Sequence, residues 1–377
     1  MKYKLKDIGK ITTGKTPSKS IKNAFGGNMN FLTPTDFNGK RYSDSTVRSL
    51  SDNGVEAVSN YVVKYPSISV TCIGSDMGKT ILNRTNIVSN QQINSISEII
   101  DDINPKYLYY LLTAKRKYLH FLGSGQGSTM PILNKRDFGN IEFFFPEKEQ
   151  QDSIVKILDV LDKKIELNKA INDNLVELVD SYFINFLNNV TTVEKTIEDI
   201  GTVVGGGTPS KKIAAYWNGD IAWVTPKDLS QHPLIFTSSG ENYITGLGLA
   251  KGSAKLLPTN TILFSSRAPI GYISIAKNNL ATNQGFKSVI PNKEYSFQFI
   301  YELLKHETTA IKNEANGSTF KEISGKKLKQ HIINIPNSED TSKFNEITKP
   351  IFKQLRKLEE ENEKLLAIKK ELLEKYF

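Results

Sequence analysis

Cysteine is almost absent from this 377-residue chain: Cys72 is the only one, so no internal disulfide can form. The four histidines are scattered and have no cysteine partner at metal-ligand spacing. No stretch approaches the roughly 18 apolar residues of a membrane span, and the polar residues after Met1 lack the apolar run of a signal peptide. The sequence therefore predicts a protein of the reducing cytoplasm with no membrane segment and no metal site.

Positive charge is concentrated in two parts of the chain. Residues 1–150 carry 20 Lys and Arg against 13 Asp and Glu, and residues 190–337 carry 16 against 11. The counts are 4 against 7 in residues 151–189 and 9 against 9 in residues 338–377. Two basic segments indicate that the protein binds a polyanion that contacts both of them. A charge excess that only keeps the protein soluble would give the same counts.

An internal repeat with a period of about 190 residues organises the chain. Five short motifs recur in the same order: Ile8-Gly9 and Ile200-Gly201, Thr16-Pro17-Ser18-Lys19 and Thr208-Pro209-Ser210-Lys211, Thr33-Pro34-Thr35-Asp36 and Thr225-Pro226-Lys227-Asp228, Asn90-Gln91 and Asn283-Gln284, and Gly127-Ser128-Thr129 and Gly317-Ser318-Thr319. Between these motifs the copies diverge strongly. The pattern predicts one duplicated scaffold with two different surfaces.

Each copy has the composition of a mixed α and β domain, which makes the predicted class α+β. β-branched runs bounded by Gly and Pro predict strands at Tyr61–Tyr65, Ile68–Ile73 and Thr261–Phe264. Helical spacing of apolar residues follows, beginning near Pro105 in the first copy and over residues 296–311 in the second. The two predicted domains are residues 1–146 and 190–337.

A long charged segment without glycine follows each copy and predicts a helix, over residues 147–189 and 338–377. Spacings of four and three define a coiled-coil seam: Ile154, Leu158, Leu161, Ile165, Asn168, Asn172, Leu175 and Val179 in the first segment, and Ile351, Leu355, Leu358, Asn362, Leu365 and Leu372 in the second.

A single helix of this kind would usually pack on its own domain, but two favour an antiparallel pair with pseudo-two-fold symmetry. The first segment would span roughly 60 Å if fully helical. Asn362 aligns with Asn172, and a seam Asn fixes register. Pro350 predicts that the second helix starts near it or kinks there, and is therefore shorter.

This organisation resembles the specificity subunits of type I restriction-modification enzymes, through the duplicated Gly-x-Thr-Pro-Ser-Lys, Thr-Pro-x-Asp, Asn-Gln and Gly-Ser-Thr motifs and the helix after each copy. The resemblance covers essentially the whole chain. It implies two target recognition domains that each read one half of an interrupted double-stranded DNA site. It also implies helices that set the gap and dock two adenine methyltransferase subunits, which restriction and translocase subunits join.

The resemblance further implies a recognition subunit that binds no cofactor itself, with S-adenosylmethionine and ATP/Mg held by its partners. The residues agree, because the chain contains no Asn/Asp-Pro-Pro-aromatic methyltransferase loop. Residues 74–80 look like a phosphate loop but are one residue short of its spacing. No catalytic residues are predicted.

The predicted DNA contacts fall into two groups. Expected backbone contacts lie in or beside the repeated motifs, where small residues, amides and lysines approach phosphate: Ser18, Lys19, Asn90, Ser210, Lys211, Lys212 and Asn283. Base readout is expected mainly where the copies differ, because two domains that read different sequences cannot share the reading residues. The candidates are Arg41, Ser75, Lys79, Gln91, Gln92, Ser266, Arg267, Gln284 and Lys287.

Two other interpretations remain open. A coiled-coil scaffold protein would assemble partners without sequence-specific DNA binding. A stand-alone enzyme of DNA metabolism would show turnover by the isolated chain. The Gly-Ser-Thr motifs and Gln126 could contact the DNA backbone or a partner.

Overall fold

A computed structural model describes residues 1–124, 131–267, 269–317 and 321–377. Gln126 and both Gly-Ser-Thr motifs, apart from Gly317, lie outside this range. The chain divides into two compact units, residues 1–164 with 365–377, and residues 165–364. Each unit thus contains one of the two predicted domains and parts of both long helices. Throughout these ranges, no helix combines the length and apolarity needed to cross a membrane.

The strands of the first unit are β1 (Lys2–Lys4), β2 (Lys10–Thr13), β3 (Phe25–Leu32), β4 (Arg48–Leu50), β5 (Ser67–Thr71), β6 (Thr80–Asn83), β7 (Ile87–Ser89), β8 (Ile93–Ser97) and β9 (Glu142–Phe144). Its helices are α1 (Asp52–Ala57), α2 (Pro105–Ala114), α3 (Arg116–Ser124), α4 (Lys135–Asn140) and the start of α5 (Lys148–Asn188).

The strands of the second unit are β10 (Thr192–Thr196), β11 (Gly201–Gly205), β12 (Trp217–Val224), β13 (Phe236–Thr237), β14 (Asn242–Ile244), β15 (Leu256–Leu257), β16 (Ile262–Phe264), β17 (Ile273–Ala276), β18 (Leu280–Thr282), β19 (Lys287–Pro291) and β20 (Ile332–Pro336). Its helices are α6 (Ile197–Ile200), α7 (Pro226–Gln231), α8 (Gly246–Lys251), α9 (Phe297–Glu314), α10 (Gly325–Gln330) and most of α11 (Ser338–Tyr376).

The two units share one topology, which confirms the duplication. In the first unit the sheet orders are β2-β8-β5-β6, β4-β3-β7 and β1-β9. In the second they are β11-β19-β16-β17-β13, β14-β12-β18-β15 and β10-β20. The second unit repeats each sheet and adds one edge strand to two of them. The fold is therefore two tandem mixed α and β domains, as the sequence predicts.

The strand predictions hold with one exception. β5 overlaps the run predicted at Ile68–Ile73, and β16 lies within the run predicted at Thr261–Phe264. The helix α2 begins at Pro105 behind an Asn104 cap, whose side chain accepts from Lys106 N at 2.8 Å. The strand predicted at Tyr61–Tyr65 is wrong. Only Val63 forms a bridge there, to Ile87. β-branched residues suit a strand, but this segment finds a partner at a single position.

The helices α5 and α11 are 41 and 39 residues long. Their predicted seam residues are all buried or half-buried. In the second unit the two helices run antiparallel, since Asn168 contacts Asn362 while Phe183 packs on Phe344 with ring centroids 5.6 Å apart. The seam prediction is confirmed there.

One detail of the helix prediction, a start of the second helix near Pro350, is wrong. The helix α11 starts at Ser338, twelve residues before Pro350, and contains the proline within its length. It is therefore almost as long as α5, because one lost backbone hydrogen bond does not outweigh the packing of the seam. The polar partner of Asn362 is Asn168, whose Nδ2 donates to Asn362 Oδ1 at 3.0 Å. Because the helices are antiparallel, the residues in contact differ from the residues that the alignment of the two copies matches.

Each unit has its own core, which the helices complete. In the first unit, Ile154, Val155 and Leu158 of α5 pack into the domain core, as do the last residues of α11. The Phe377 ring lies 5.0 Å from Tyr107. Burial of aromatic and aliphatic side chains of this size stabilises by roughly 1.5–3 kcal/mol each. The helix segments are therefore part of each folded unit.

Candidate nucleic-acid interface

The Thr-Pro-x-Asp motif forms the same turn in both units. Thr33 N and Oγ1 both donate to Asp36 Oδ2 at 2.7 Å, and Val47 N donates to Asp36 Oδ1 at 2.8 Å. Asp228 accepts in the same way from Thr225 and from Glu241 N. The carboxylate thus ties the end of β3 or β12 to the following loop. This motif is therefore structural.

The Thr-Pro-Ser-Lys loop and the Asn-Gln turn form one structure in each unit. Thr16 Oγ1 donates to Gln91 Oε1 at 2.8 Å, and Thr208 Oγ1 makes the same hydrogen bond to Gln284. Glycine makes this approach possible. A Cβ on Gly14 would lie 2.3 Å from the Asn90 carbonyl oxygen, which no other residue could tolerate. The sequence did not predict that these two motifs meet.

The amides of Asn90 and Asn283 serve the turn itself. Asn90 Oδ1 accepts from Gln92 N at 3.1 Å, and Asn283 Oδ1 accepts from Gly285 N at 2.9 Å. Asn90 Nδ2 donates to Gln92 Oε1 at 3.1 Å. This hydrogen bond occupies the side-chain oxygen of Gln92, one of the predicted base readers. The two asparagines therefore have a turn-stabilising role. Their contact with the DNA backbone stays a prediction.

Small and basic side chains project from the Thr-Pro-Ser-Lys loops. The exposed members of this group are Ser18, Lys19, Ser210, Lys211 and Lys212. Gln91 and Gln284, on the adjoining turns, are exposed as well. In each unit the loop and the turn thus place lysines and amides side by side on one surface, the arrangement expected of a contact with phosphates and base edges.

Two base-reading predictions are wrong because the side chains are buried. Arg41 is 6 % exposed, and its guanidinium lies 2.6 Å from Asp159 Oδ1 and 3.6 Å from Asp162 Oδ2, both on α5. Ser266 is fully buried, and its Oγ donates to the Gly285 carbonyl oxygen at 3.1 Å. Neither side chain can reach a base without unfolding its surroundings.

Arg41 belongs to an ion-pair cluster that the sequence did not reveal. Burial opposes the ionisation of Asp159, but hydrogen bonds from Lys163, Lys106 and Arg41 outweigh it and lower its pKa to about 2. The Arg41 guanidinium also lies 4.6 Å from the centre of the Tyr42 ring. Through these ion pairs, the polar loop that precedes β4 is held against helix α5.

Residues 74–80 connect two antiparallel strands, β5 and β6, whereas a phosphate loop joins a strand to a helix. Ser75 is exposed at the tip of this turn, and Lys79 Nζ lies 2.9 Å from Asp76 Oδ1. The connection gives no support to a nucleotide site. Base contact by Ser75 and Lys79 stays a prediction.

A charged cluster distinguishes the second unit. Arg267 Nη1 lies 3.6 Å from Glu322 Oε2, and Lys287 Nζ lies 3.9 Å from Glu322 Oε1. Burial lowers the pKa of Lys287, the Glu322 carboxylate opposes that shift, and the charge of Arg267 adds to it. Lys287 also donates to the Gln284 carbonyl oxygen at 3.4 Å, which joins this cluster to the loop and turn described above.

The comparisons with known proteins identify the family. A family model described as the type I restriction modification DNA specificity domain matches residues 1–177 and again residues 189–374. The chain therefore belongs to this family, and the two matches coincide with its two copies.

Two relatives show how far the similarity extends. The chain is 42 % identical over 185 residues to the type I restriction enzyme MjaIX specificity subunit of Methanocaldococcus jannaschii, with 48 % of the chain and 43 % of the relative covered. It is 33 % identical over 160 residues to the EcoR124I/EcoR124II specificity subunit of Escherichia coli, with 41 % and 39 % covered. The chain thus matches less than half the length of these relatives.

One solved structure matches over the whole fold. It is the type I restriction-modification system S subunit from M. genitalium, with a TM-score of 0.63 and 17 % identity over 100 % of the chain and 96 % of that structure. At this identity the match shows a shared fold.

Proposed function

We propose that the chain reads a two-part double-stranded DNA site, with one half-site contacted by each recognition domain. One observation carries the proposal: a single scaffold occurs twice, with the same loop and turn in both copies and different side chains around them. A shared scaffold supplies a common mode of docking on the duplex. Different surrounding residues supply different base preferences.

The charge distribution supports this function. Both recognition domains carry an excess of Lys and Arg, and the exposed lysines of the Thr-Pro-Ser-Lys loops belong to that excess. Phosphate contacts by such lysines release counterions and give affinity without base preference. Backbone contacts therefore come from Lys19, Lys211 and Lys212, beside Ser18 and Ser210.

The long helices act as spacer and docking surface in this proposal. Besides the seam, α5 carries apolar side chains that face solvent within the second unit, including Leu167, Ile171 and Leu178, which are 38 % to 56 % exposed. Exposed apolar residues in a row are typical of a surface that binds protein. We assign it to a methyltransferase subunit, with restriction and translocase subunits joining the complex.

The chain itself is a non-catalytic subunit in this account. Its interface consists of hydroxyls, amides and cations, which bind and orient DNA. S-adenosylmethionine and ATP/Mg belong to the partner subunits, and this chain holds no cofactor.

Selection from a pool of duplexes with randomised bases tests the proposal. The full-length chain, bound in solution and recovered with its DNA, is expected to enrich two short motifs separated by a constant gap. Enrichment of no sequence, with affinity the same for every duplex, would contradict the proposal and favour the scaffold interpretation.

A further inference from the structure

The two units differ at one structurally equivalent pair of residues beside the candidate interface. In the first unit a backbone bridge joins a residue shortly after β5 to the segment before α4. In the second unit the equivalent bridge joins a residue shortly after β16 to the segment before α10. The bridge is Ile73 with Ile132 in the first unit and Arg267 with Glu322 in the second. The backbone arrangement is the same, while the side chains are apolar in one unit and charged in the other.

In the second unit the bridge presents an oriented cation. Arg267 and Glu322 have side chains 38 % and 42 % exposed, so both can reach a ligand. The Lys287 side chain is only 17 % exposed, and its Nζ pairs with Glu322 Oε1, the carboxylate oxygen that Arg267 does not contact. Because one carboxylate is shared by two cations, the cluster keeps a net positive charge while the guanidinium is held in place.

In the first unit the equivalent bridge is apolar. Ile132 is 50 % exposed. At the position of Lys287, beside the end of the paired strand, stands Asn94. Asn94 is 2 % exposed and donates to the Leu133 carbonyl oxygen at 3.3 Å. A half-exposed isoleucine matches an apolar group on DNA.

Both bridges lie next to the shared loop and turn. In the second unit, contacts run from Thr208 through Gln284 and Lys287 to Glu322 and Arg267. In the first unit, Cys72 N donates to the Gln92 carbonyl oxygen at 2.7 Å, which connects the turn to the residue before Ile73. A duplex held by the loop and turn would therefore place base edges near the bridge in each unit.

We infer that the bridge residues are specificity determinants with opposite preferences in the two half-sites. Arg267 donates to guanine O6 and N7, and Glu322 orients Arg267 and accepts from cytosine N4, so the second unit favours a G·C pair. The Ile73 and Ile132 pair contacts a thymine methyl group, so the first unit favours an A·T pair. This inference rests on the proposed function.

The test exchanges the two bridges in the full-length chain. One variant carries Arg267→Ile with Glu322→Ile, and the reciprocal variant carries Ile73→Arg with Ile132→Glu. Each is used in the selection from randomised duplexes beside the wild-type protein. The first exchange is expected to lower the preference for G·C over A·T about 5- to 150-fold at one position of one half-site. The reciprocal exchange should raise that preference in the other half-site.

Arg267→Ala guards against misfolding, because it keeps Glu322 and the backbone bridge, and it should lose the same G·C preference. Motifs that stay the same as wild type in all three variants would overturn the inference. A wild-type protein that enriches no sequence would instead overturn the proposed function. The two failures are therefore distinguishable.

Discussion

Lys211 and Lys212 are the residues on which the electrostatic part of the account depends. Replacing both with alanine is expected to weaken DNA binding equally for all sequences, because phosphate contacts carry no base information. The slope of log affinity against log salt should become shallower by about 1 per lysine lost. Fluorescence anisotropy with a labelled duplex at several salt concentrations measures both effects.

Lys357 provides a matched control for that experiment, since it is equally exposed but lies on α11 outside the recognition domains. Lys357→Ala should leave affinity and salt slope at the wild-type values. If the double lysine variant changed the enriched sequence and kept the affinity, these lysines would be base readers.

Asp159 stabilises the first unit through its buried ion pair with Arg41. We expect Asp159→Asn to lower the free energy of unfolding by about 2–3 kcal/mol at neutral pH. The folded pKa of about 2 lies below the ordinary 3.8, so the contribution is present above pH 4 and is lost as the pH falls toward 2. Urea denaturation of both proteins across this range measures the difference.

Two further variants separate this role from DNA reading. Asp173 is exposed on the same helix and pairs with Lys169 at 3.3 Å, so Asp173→Asn should change stability little. Arg41→Ala should lower stability but keep the enriched DNA motif. A changed motif in Arg41→Ala with normal stability would contradict the buried position of Arg41 and place its side chain at the DNA.

At the scale of elements, Pro350 interrupts the hydrogen bonding of α11. Proline has no N–H to donate to the Glu346 carbonyl oxygen, and its ring clashes with the preceding turn. Since Pro350 is exposed, Pro350→Ala removes little packing. The variant should raise the free energy of unfolding by about 1–3 kcal/mol in chemical denaturation.

Lys353→Ala, at an exposed position one turn further along α11, serves as the control and should change stability by only a few tenths of a kcal/mol. Equal or lower stability of Pro350→Ala would mean that the helix accommodates the proline by a distortion the folded unit needs.

Elements governed by local pattern were predictable from the sequence. The helices α5 and α11 follow from their periodicity, and the turn at Asp36 follows from hydrogen bonds within a few residues. The features that were missed depend on distant partners. Arg41 meets Asp159 across 118 positions, and Asn168 meets Asn362 across 194. Only the fold brings such pairs together, and nothing in the local sequence marks them.

The candidate interface shows the same division. The repeat located the Thr-Pro-Ser-Lys and Asn-Gln motifs, but their contact through Thr16 and Gln91 became visible only in the structure. The sequence predicts that Ser266, like its neighbour Arg267, reads bases. Alternation along an extended segment instead turns Ser266 into the core and Arg267 outward, which sequence polarity alone did not reveal.

At the scale of the whole molecule, the duplication combines a shared scaffold with two different sets of surface residues. The scaffold and its loop and turn are common to both units, whereas the Arg267 and Glu322 pair and its apolar counterpart are not. A change in one recognition domain should therefore alter one half-site and leave the other half-site unchanged.

Each recognition domain is proposed to read its own half of one DNA site. The most direct test of this proposal maps methylated adenines in the DNA of cells that express this chain together with the methyltransferase subunit proposed to dock on it, before and after residues 190–337 are replaced by another recognition domain. The account predicts a two-part motif with a constant gap, of which only one half changes on replacement. An unchanged motif, or one in which both halves change together, would contradict it.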